Sequence, residues 1–494
     1  MSKKHNLIVI GSGFAGLSAA TSLAQLGFDV TLIEKHKVPG GRARKFSEAG
    51  FTFDMGPSWY WMPDVFEEYF GRFNKKPSYY YELIRLDPSY SVFFGHDEVM
   101  HVPADYAELL KMFEKYEKGS GQNLDRFLNQ AAYKYEVGMN KLVKKPSRSL
   151  TEFASLRLLY DVLRMDVFKS FSSHARKFFS DSKLLQLVEF PVLFLGATPQ
   201  NTPALYSLMN YADMKLGTWY PAGGMHKIVE GMVALAEEMG VKFKLGQEVK
   251  SFIFNENKIT GVETDQETLS CDGVISGADY HHTETNLLPG SLRNYSDNYW
   301  QKRTMAPSSL IYYLGVNKRV KNLLHHNLFF DQDFGKHARE IYDQPQWPEN
   351  PLFYVSAPGK TDPTVAPDGM ENMFILIPVA PGLNDTPEIR EKYYHMVMSR
   401  LEALTGERIK EYVVVKKTYA HRDFINDYHA FKGNAYGLAN TLKQTAILKP
   451  SFKNKKVANL YYTGQLTVPG PGVPPSLISG QLVAGEVAKE SRHW

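Results

Sequence analysis

Three glycines and one acid form the first chemically readable pattern in this 494-residue chain. Gly11, Gly13 and Gly16 stand in G-x-G-x-x-G spacing, and Glu34 follows them. Gly11 permits a tight turn, Gly13 lets backbone approach a pyrophosphate, and Gly16 lets a helix pack closely on a strand. From Gly11 through Ser12, Gly13, Phe14, Ala15 and Gly16 the chain would offer backbone N–H groups at a helix start, where phosphate binds. A carboxylate at Glu34 can accept hydrogen bonds from ribose hydroxyls. That chemistry is dinucleotide binding.

The elements that would position these residues are legible around them. A β-branched run from Leu7 to Ile10 predicts a strand, Ala15 to Leu26 a helix stopped by Gly27, and Val30 to Ile33 a second strand. The same run has a second outline: Lys3 and Lys4 precede uncharged residues from Leu7 to Phe28, as in a secretory leader or a membrane anchor. A spanning helix needs about 20 apolar residues, and Gly11-Ser12-Gly13 would lie near its centre. The segment is therefore expected to remain in the protein as a βαβ unit.

Composition bounds the remainder. The length suits two or three domains, and 43% hydrophobic residues with 13% aromatics support sizeable cores. With 57 Lys+Arg against 53 Asp+Glu, the net charge of +4 gives no case for nucleic-acid binding. One cysteine, Cys271, excludes an internal disulfide and a cysteine-based metal cluster, and fits a reducing compartment. Its expected place is a buried site between short strands.

Beyond Glu34, "VPGGRARKFSEAGFTFDMGPSWY" contains Gly40-Gly41-Arg42. A glycine pair with an arginine can hold a second part of an extended dinucleotide; a solvated surface turn is the plainer alternative. With this pattern the chain resembles the FAD-dependent family that includes amine oxidases, protoporphyrinogen oxidases and carotenoid desaturases. "RLDPSYSVFF", "TPALYSLMNYADMKLGTWYPAGGMHKIVEGMVALAEEMGVKF" and "NLYYTGQLTVPGPGVPPSLISGQLVAGEVA" are similar, in order along the chain, to bacterial carotenoid desaturases of the phytoene-desaturase type. The last stretch departs from a commoner T-H-P-G form, with Val468 where many members carry His, so no acid/base role falls there.

The resemblance implies one FAD and no NAD(P) site, since a single fingerprint is present. It implies cofactor contacts from Gly11 to Gly16, Glu34, Lys35, Gly41, Arg42, Met55, Gly56, Pro57, Ser58, Val249, Gly277, Gly464, Gly472, Val473 and Pro474. No catalytic side chain is assigned, because flavin oxidation of a C–H bond requires no dedicated nucleophile. Near the C-terminus, Asn459 to Thr463 predicts a strand, Gly464 to Pro475 a rigid loop and Ser476 to Ala488 a helix whose start would face the flavin pyrimidine ring. A plain βα connection is the alternative.

The expected fold is α/β: a Rossmann-like FAD-binding domain interleaved with an α+β substrate domain and a helical segment. The FAD domain would take residues 1–80, 215–290 and 450–494. Residues 81–130 and 291–449 would form the substrate domain, with 131–214 as the helical segment. Within 141–179, Leu156, Leu159, Leu163, Val167 and Phe171 recur at helical spacing among basic residues. Such a helix can lie in a membrane interface or pack on its own core. Because a C40 polyene must be drawn from lipid, the expectation is cytoplasmic, peripheral membrane association.

No G-x-S-x-G, H-E-x-x-H or paired-carboxylate motif occurs. Asp423 and Asp427 read as structural or exposed carboxylates, and the pairs His281-His282 and His325-His326 as solvent or turn residues. The resemblance implies a desaturase that removes a hydride equivalent and a neighbouring proton from a carotenoid, either a phytoene-type chain or the 3,4 bond of a 1-hydroxylated end, with oxygen or a quinone as final acceptor. A carotenoid or retinoid reductase or isomerase, an amine oxidase-like enzyme and a non-enzymatic isoprenoid escort are the alternatives.

Overall fold

A computed structural model describes residues 4–147, 165–166, 169–193, 196–441 and 444–493. Strand β1 (Asn6–Ile10), helix α1 (Phe14–Gln25) and strand β2 (Asp29–Glu34) form the expected βαβ unit, with Gly27 at φ +96° after the helix. Helix α2 (His226–Glu238) leads into β3 (Lys242–Leu245), and β4 (Gly273–Ser276) and β5 (Leu460–Tyr462) complete the sheet before α3 (Val473–Glu490). The order is β5-β4-β1-β2-β3, and every pairing is parallel.

Alternation along β1 explains why both faces are buried. Leu7 and Val9 enter one core with Leu17 of α1, Met232 of α2 and Val483 of α3. Ile8 and Ile10 enter another with Val249, Phe252 and Val262, which belong to an antiparallel three-stranded sheet inserted between β3 and β4. Helices α1 and α3 touch backbone to backbone: a Cβ on Gly480 would lie 2.4 Å from the Ala15 carbonyl oxygen.

The second body is built on a seven-stranded sheet. In spatial order its strands are Val413–Tyr419, Ser308–Val316, Glu371–Val379, Phe353–Ser356, His326–Phe329, Tyr90–Gly95 and Glu98–Val102. The apolar runs "SLIYYLGV" and "MFILIPVA" pair with each other, from Ser308 opposite Val379 to Val316 opposite Glu371. One face, with Leu310, Tyr312 and Leu314, packs on Val397 and Leu401 of the helix Pro387–Thr405. Ile311 and Tyr313 face the other way, toward Phe127 of the helix Ser120–Val137 and Leu184 and Phe190 of the helical segment.

Two local expectations need correction. Helix α3 starts at Val473, before the expected Ser476, because Pro474 and Pro475 fit a first turn whose N–H groups need no intrahelical partner. His325 and His326 are buried, not solvent or turn residues, since the strand they open is covered on both faces. In the basic, apolar segment, Leu156, Leu159, Leu163 and Val167 lie outside the described residues, while Phe171 is buried in the core beneath the seven-stranded sheet. Among the described residues no helix is long and apolar enough to cross a membrane.

Candidate functional site

The carboxyl ends of β1, β2 and β4 lie side by side, with Ile10 paired to both Ile33 and Ser276. Gly11 leaves β1 at φ +91°, its N–H donating to the Ile33 carbonyl at 2.7 Å. Gly277 leaves β4 beside it and donates to the Ile10 carbonyl at 2.7 Å. A Cβ on Gly16 would lie 1.9 Å from the Gly11 oxygen, so the turn is closed on that side. A Cβ on Gly13 would meet nothing within 4 Å. Gly13 caps α1 without a side-chain bond, and the first turn carries no acid. The Phe14 and Ala15 side chains are buried in or against the core. What remains open is backbone at a helix N-terminus, which suits an anion.

Glu34 has a second task that spacing alone did not reveal. Its Oε2 accepts from the Ser12 N–H at 2.8 Å and the Ser12 hydroxyl at 2.7 Å, and Oε1 accepts from the His36 N–H at 2.9 Å. The acid therefore ties the glycine turn to β2, keeping part of its acceptor capacity. Lys35 points away, donating to the Asn426 carbonyl at 2.8 Å. Val249 is buried near this end, where the neighbouring Gln247 N–H donates to the Glu34 carbonyl at 2.9 Å.

The second glycine pair closes on the first. Gly40 and Gly41 have φ of +119° and +55°, and a Cβ on Gly41 would lie 3.1 Å from Gly13 Cα. Arg42 donates to the Asn434 carbonyl at 3.3 Å and lies over the Tyr428 ring at 4.9 Å. Its Nε is buried without a hydrogen-bond partner among the described residues. Burial pulls the Arg42 pKa down, and burial likewise pushes Asp279, which interacts with it, up to about 6. A Cβ on Gly56 would lie 2.4 Å from the Arg42 oxygen. On either side of half-buried Pro57, the Met55 carbonyl accepts from the Tyr313 hydroxyl at 2.7 Å and Ser58 Oγ accepts from the Tyr354 hydroxyl at 3.0 Å. Residues 55–58 thus join the nucleotide-type sheet to the seven-stranded sheet.

Asp54 explains the Gly-Gly-Met stretch. It accepts from the Met225 and His226 N–H groups at 2.7 and 2.9 Å, ahead of α2. A Cβ on Gly224 would lie 2.8 Å from its Oδ2. His226 Nδ1 donates to the Ala43 carbonyl at 2.8 Å, so this stretch also supports the Gly41-Arg42 turn.

At the C-terminal end, Gly464 donates to Ser479 Oγ at 3.0 Å. Gly472, at φ +108°, caps α3, and Val473 and Pro474 form its first positions, half-buried. Val468 is buried in the core shared by α1 and α3. The structure therefore gathers Gly11 to Gly16, Gly41, Arg42, Gly56 and Gly277 at one sheet edge, with α3 packed against α1 there.

Next to Ser58 stands an aromatic wall missed in the sequence. Trp59 stacks on His326 with centroids 4.1 Å apart and planes 14° apart, and it also meets Tyr90, Phe190 and Tyr354. His326 Nδ1 lies 2.6 Å from the Tyr354 hydroxyl. The same hydroxyl reaches Ser58 Oγ, and His326 Nε2 is buried without a hydrogen-bond partner among the described residues. Burial holds the imidazole neutral, well below its ordinary pKa. The only available signal was an adjacent histidine pair heading an apolar strand. A cavity of about 460 Å³ beside Met55 is lined by Arg44, Lys45, Lys417 and Asp427 together with Phe46 and Tyr419. Asp427 pairs with Arg44 at 2.5 Å and Asp423 with Arg390 at 2.7 Å, so both are structural. No cluster of metal-ligating side chains occurs among the described residues.

Over residues 14–488 the chain matches the family described as flavin containing amine oxidoreductase. The chain belongs to this family. Within it, the chain is 41% identical over 481 residues to a carotenoid 3,4-desaturase of Haloarcula japonica, covering 97% of each chain. It is 30% identical to a zeta-carotene-forming phytoene desaturase of Myxococcus xanthus, covering 97% of this chain and 93% of that one. A 4,4'-diapophytoene desaturase of Staphylococcus haemolyticus is also 30% identical, with 99% of both chains covered. Solved structures share the fold: an oxidoreductase from Methanosarcina mazei superposes with a TM-score of 0.64 at 16% identity, covering 97% of this chain and all of that one. A putrescine oxidase variant gives 0.59 at 12%, covering 98% and 99%.

Proposed function

We propose that this protein is an FAD-dependent carotenoid desaturase and that it acts at the 3,4 bond of its substrate. The observation that carries this reading is the 41% identity, over nearly the whole of both chains, to a carotenoid 3,4-desaturase. The phytoene and diapophytoene desaturases stand lower, at 30%.

The residues present fit the cofactor. Open space above Gly13 and the buried, unpartnered Nε of Arg42 are what a pyrophosphate-bearing ligand would fill and satisfy. Gly11 to Gly16, Gly41 and Arg42 would hold the phosphates, Glu34 the ribose, and Val249 the adenine end. Residues 55–58, Gly277, Gly464 and Gly472 to Pro474 would border the rest. When bound, FAD supplies an acceptor for a hydride equivalent.

The chain's own contribution is placement and exclusion of water. Trp59, Tyr90, Phe190 and Tyr354 pack their rings together beside Ser58, and aromatic faces favour positive charge as well as hydrocarbon. No acid or base is required at Val468. Drawing substrate from lipid calls for peripheral association at the cytoplasmic face, checked by flotation with anionic liposomes; oxygen or a quinone would reoxidise the cofactor, and anaerobic reoxidation by a quinone separates the two.

Pigment extraction from cells that make successive carotenoid precursors tests the reading. Expressing this chain should add one double bond at an end of an already conjugated carotenoid and leave phytoene untouched. Conversion of phytoene alone would move the reading to the phytoene-desaturase type, and no change in any pigment would refute it.

A further inference from the structure

Lys449 is only 6% exposed, and its Nζ donates to Asn440 Oδ1 at 2.9 Å. An ammonium has three donors, and a buried one normally has a carboxylate beside it. Here burial alone pulls the pKa down to about 7, with no charged neighbour offsetting it among the described residues. The group sits against the loop that opens α3: a Cβ on Gly470 would lie 3.0 Å from Lys449 Nζ and 3.0 Å from Asn440 Oδ1. Two residues later Gly472 begins the 18-residue helix, whose N-terminal end is itself positive. The buried Lys449 and the positive end of α3 thus flank one loop, and neither has a carboxylate partner among the described residues.

We propose that Lys449 is a positioning residue whose counter-charge arrives with the cofactor, so that it favours the reduced form over the oxidised one. This rests on the FAD reading above. When bound, FAD would take a hydride (two electrons and one proton) from the substrate, whose second proton would go to water as one new C=C bond forms. FAD that has accepted the hydride carries one more negative charge than before. An ammonium beside the α3 loop strengthens binding of that charge without touching the substrate.

Lys449→Met keeps the length of the side chain and removes its charge. Reductive titration of the FAD-loaded protein should then show reduced FAD bound about tenfold more weakly relative to oxidised FAD, which is a two-electron midpoint lower by about 30 mV. The FAD-free variant should be at least as heat-stable as the parent, because an uncompensated buried charge has gone. An unchanged midpoint, or a variant that unfolds or melts earlier without FAD, overturns the assignment and makes Lys449 a structural residue. A parent protein that binds no FAD overturns the underlying reading instead, and that outcome is visible before any variant is made.

Discussion

At the residue scale, Glu34 and Ser12 separate ligand binding from loop support. Glu34 holds Ser12 through two hydrogen bonds and His36 through a third, and hydrogen bonds to a charged group contribute about 1.5–3 kcal/mol each. Glu34→Ala should weaken FAD binding by about 10- to 100-fold, whereas Ser12→Ala, which removes only the hydroxyl bond, should cost about tenfold or less. Fluorescence titration of the FAD-free protein measures both; equal losses would mean that Glu34 acts through the loop alone. Asp213 offers a different test. It accepts from the Tyr90 and Thr218 hydroxyls at 2.7 and 3.2 Å, and burial pushes it up to about 6. Its folded-state pKa lies above the unfolded value, so its contribution to stability is complete below about pH 4 and is lost as pH rises through about 6. Between about pH 5 and 8 this group should account for about 1.5 kcal/mol of lost stability. Asp213→Asn should reduce the fall by that amount in urea unfolding at the two pH values. An identical fall in both proteins would contradict it.

At the scale of elements, the glycines of one turn should divide into two kinds. Gly16 faces the Gly11 oxygen at a distance no Cβ tolerates, 1.9 Å, whereas Gly13 faces open space. Gly16→Ala should destabilise the fold by about 3 kcal/mol or more through overpacking. Gly13→Ala should melt like the parent yet lose FAD, because its methyl group occupies the ligand's place. Melting curves with and without FAD distinguish the two; a Gly13→Ala protein that binds FAD normally would place the phosphates elsewhere. This division also shows what was legible beforehand. The βαβ unit could be read because its glycines, its apolar periods and its terminal acid are all local in sequence. The pairing of "SLIYYLGV" with "MFILIPVA" was readable as apolar strands but not as partners, since more than 50 residues separate them. Asp54 capping α2, and Trp59 stacking on His326, join segments more than 150 residues apart, and no periodicity encodes such meetings. Helix α3 begins earlier than its sequence suggests, because two prolines look like loop until the N-terminal turn is recognised as the place where they fit.

At the scale of the whole molecule, two sheets meet at residues 55–58. The parallel sheet and its glycine turns lie on one side, and Tyr313, Tyr354 and His326 of the seven-stranded sheet lie on the other. A cofactor held by the first body would therefore end where the aromatic wall of the second begins. That juxtaposition is the physical basis for expecting hydride transfer from a hydrocarbon to a cofactor held there. The buried, neutral His326, its Nε2 without a partner among the described residues, does not alter the expectation for the first step, because hydride loss needs an acceptor and not a base. The most direct measurement is an anaerobic single turnover of the purified, FAD-loaded protein with one equivalent of a detergent-dispersed, conjugated carotenoid. The account predicts loss of the oxidised flavin absorbance together with one new double bond per FAD, at the 3,4 position. Flavin that stays oxidised with every carotenoid offered, but bleaches on addition of an amine, would contradict it.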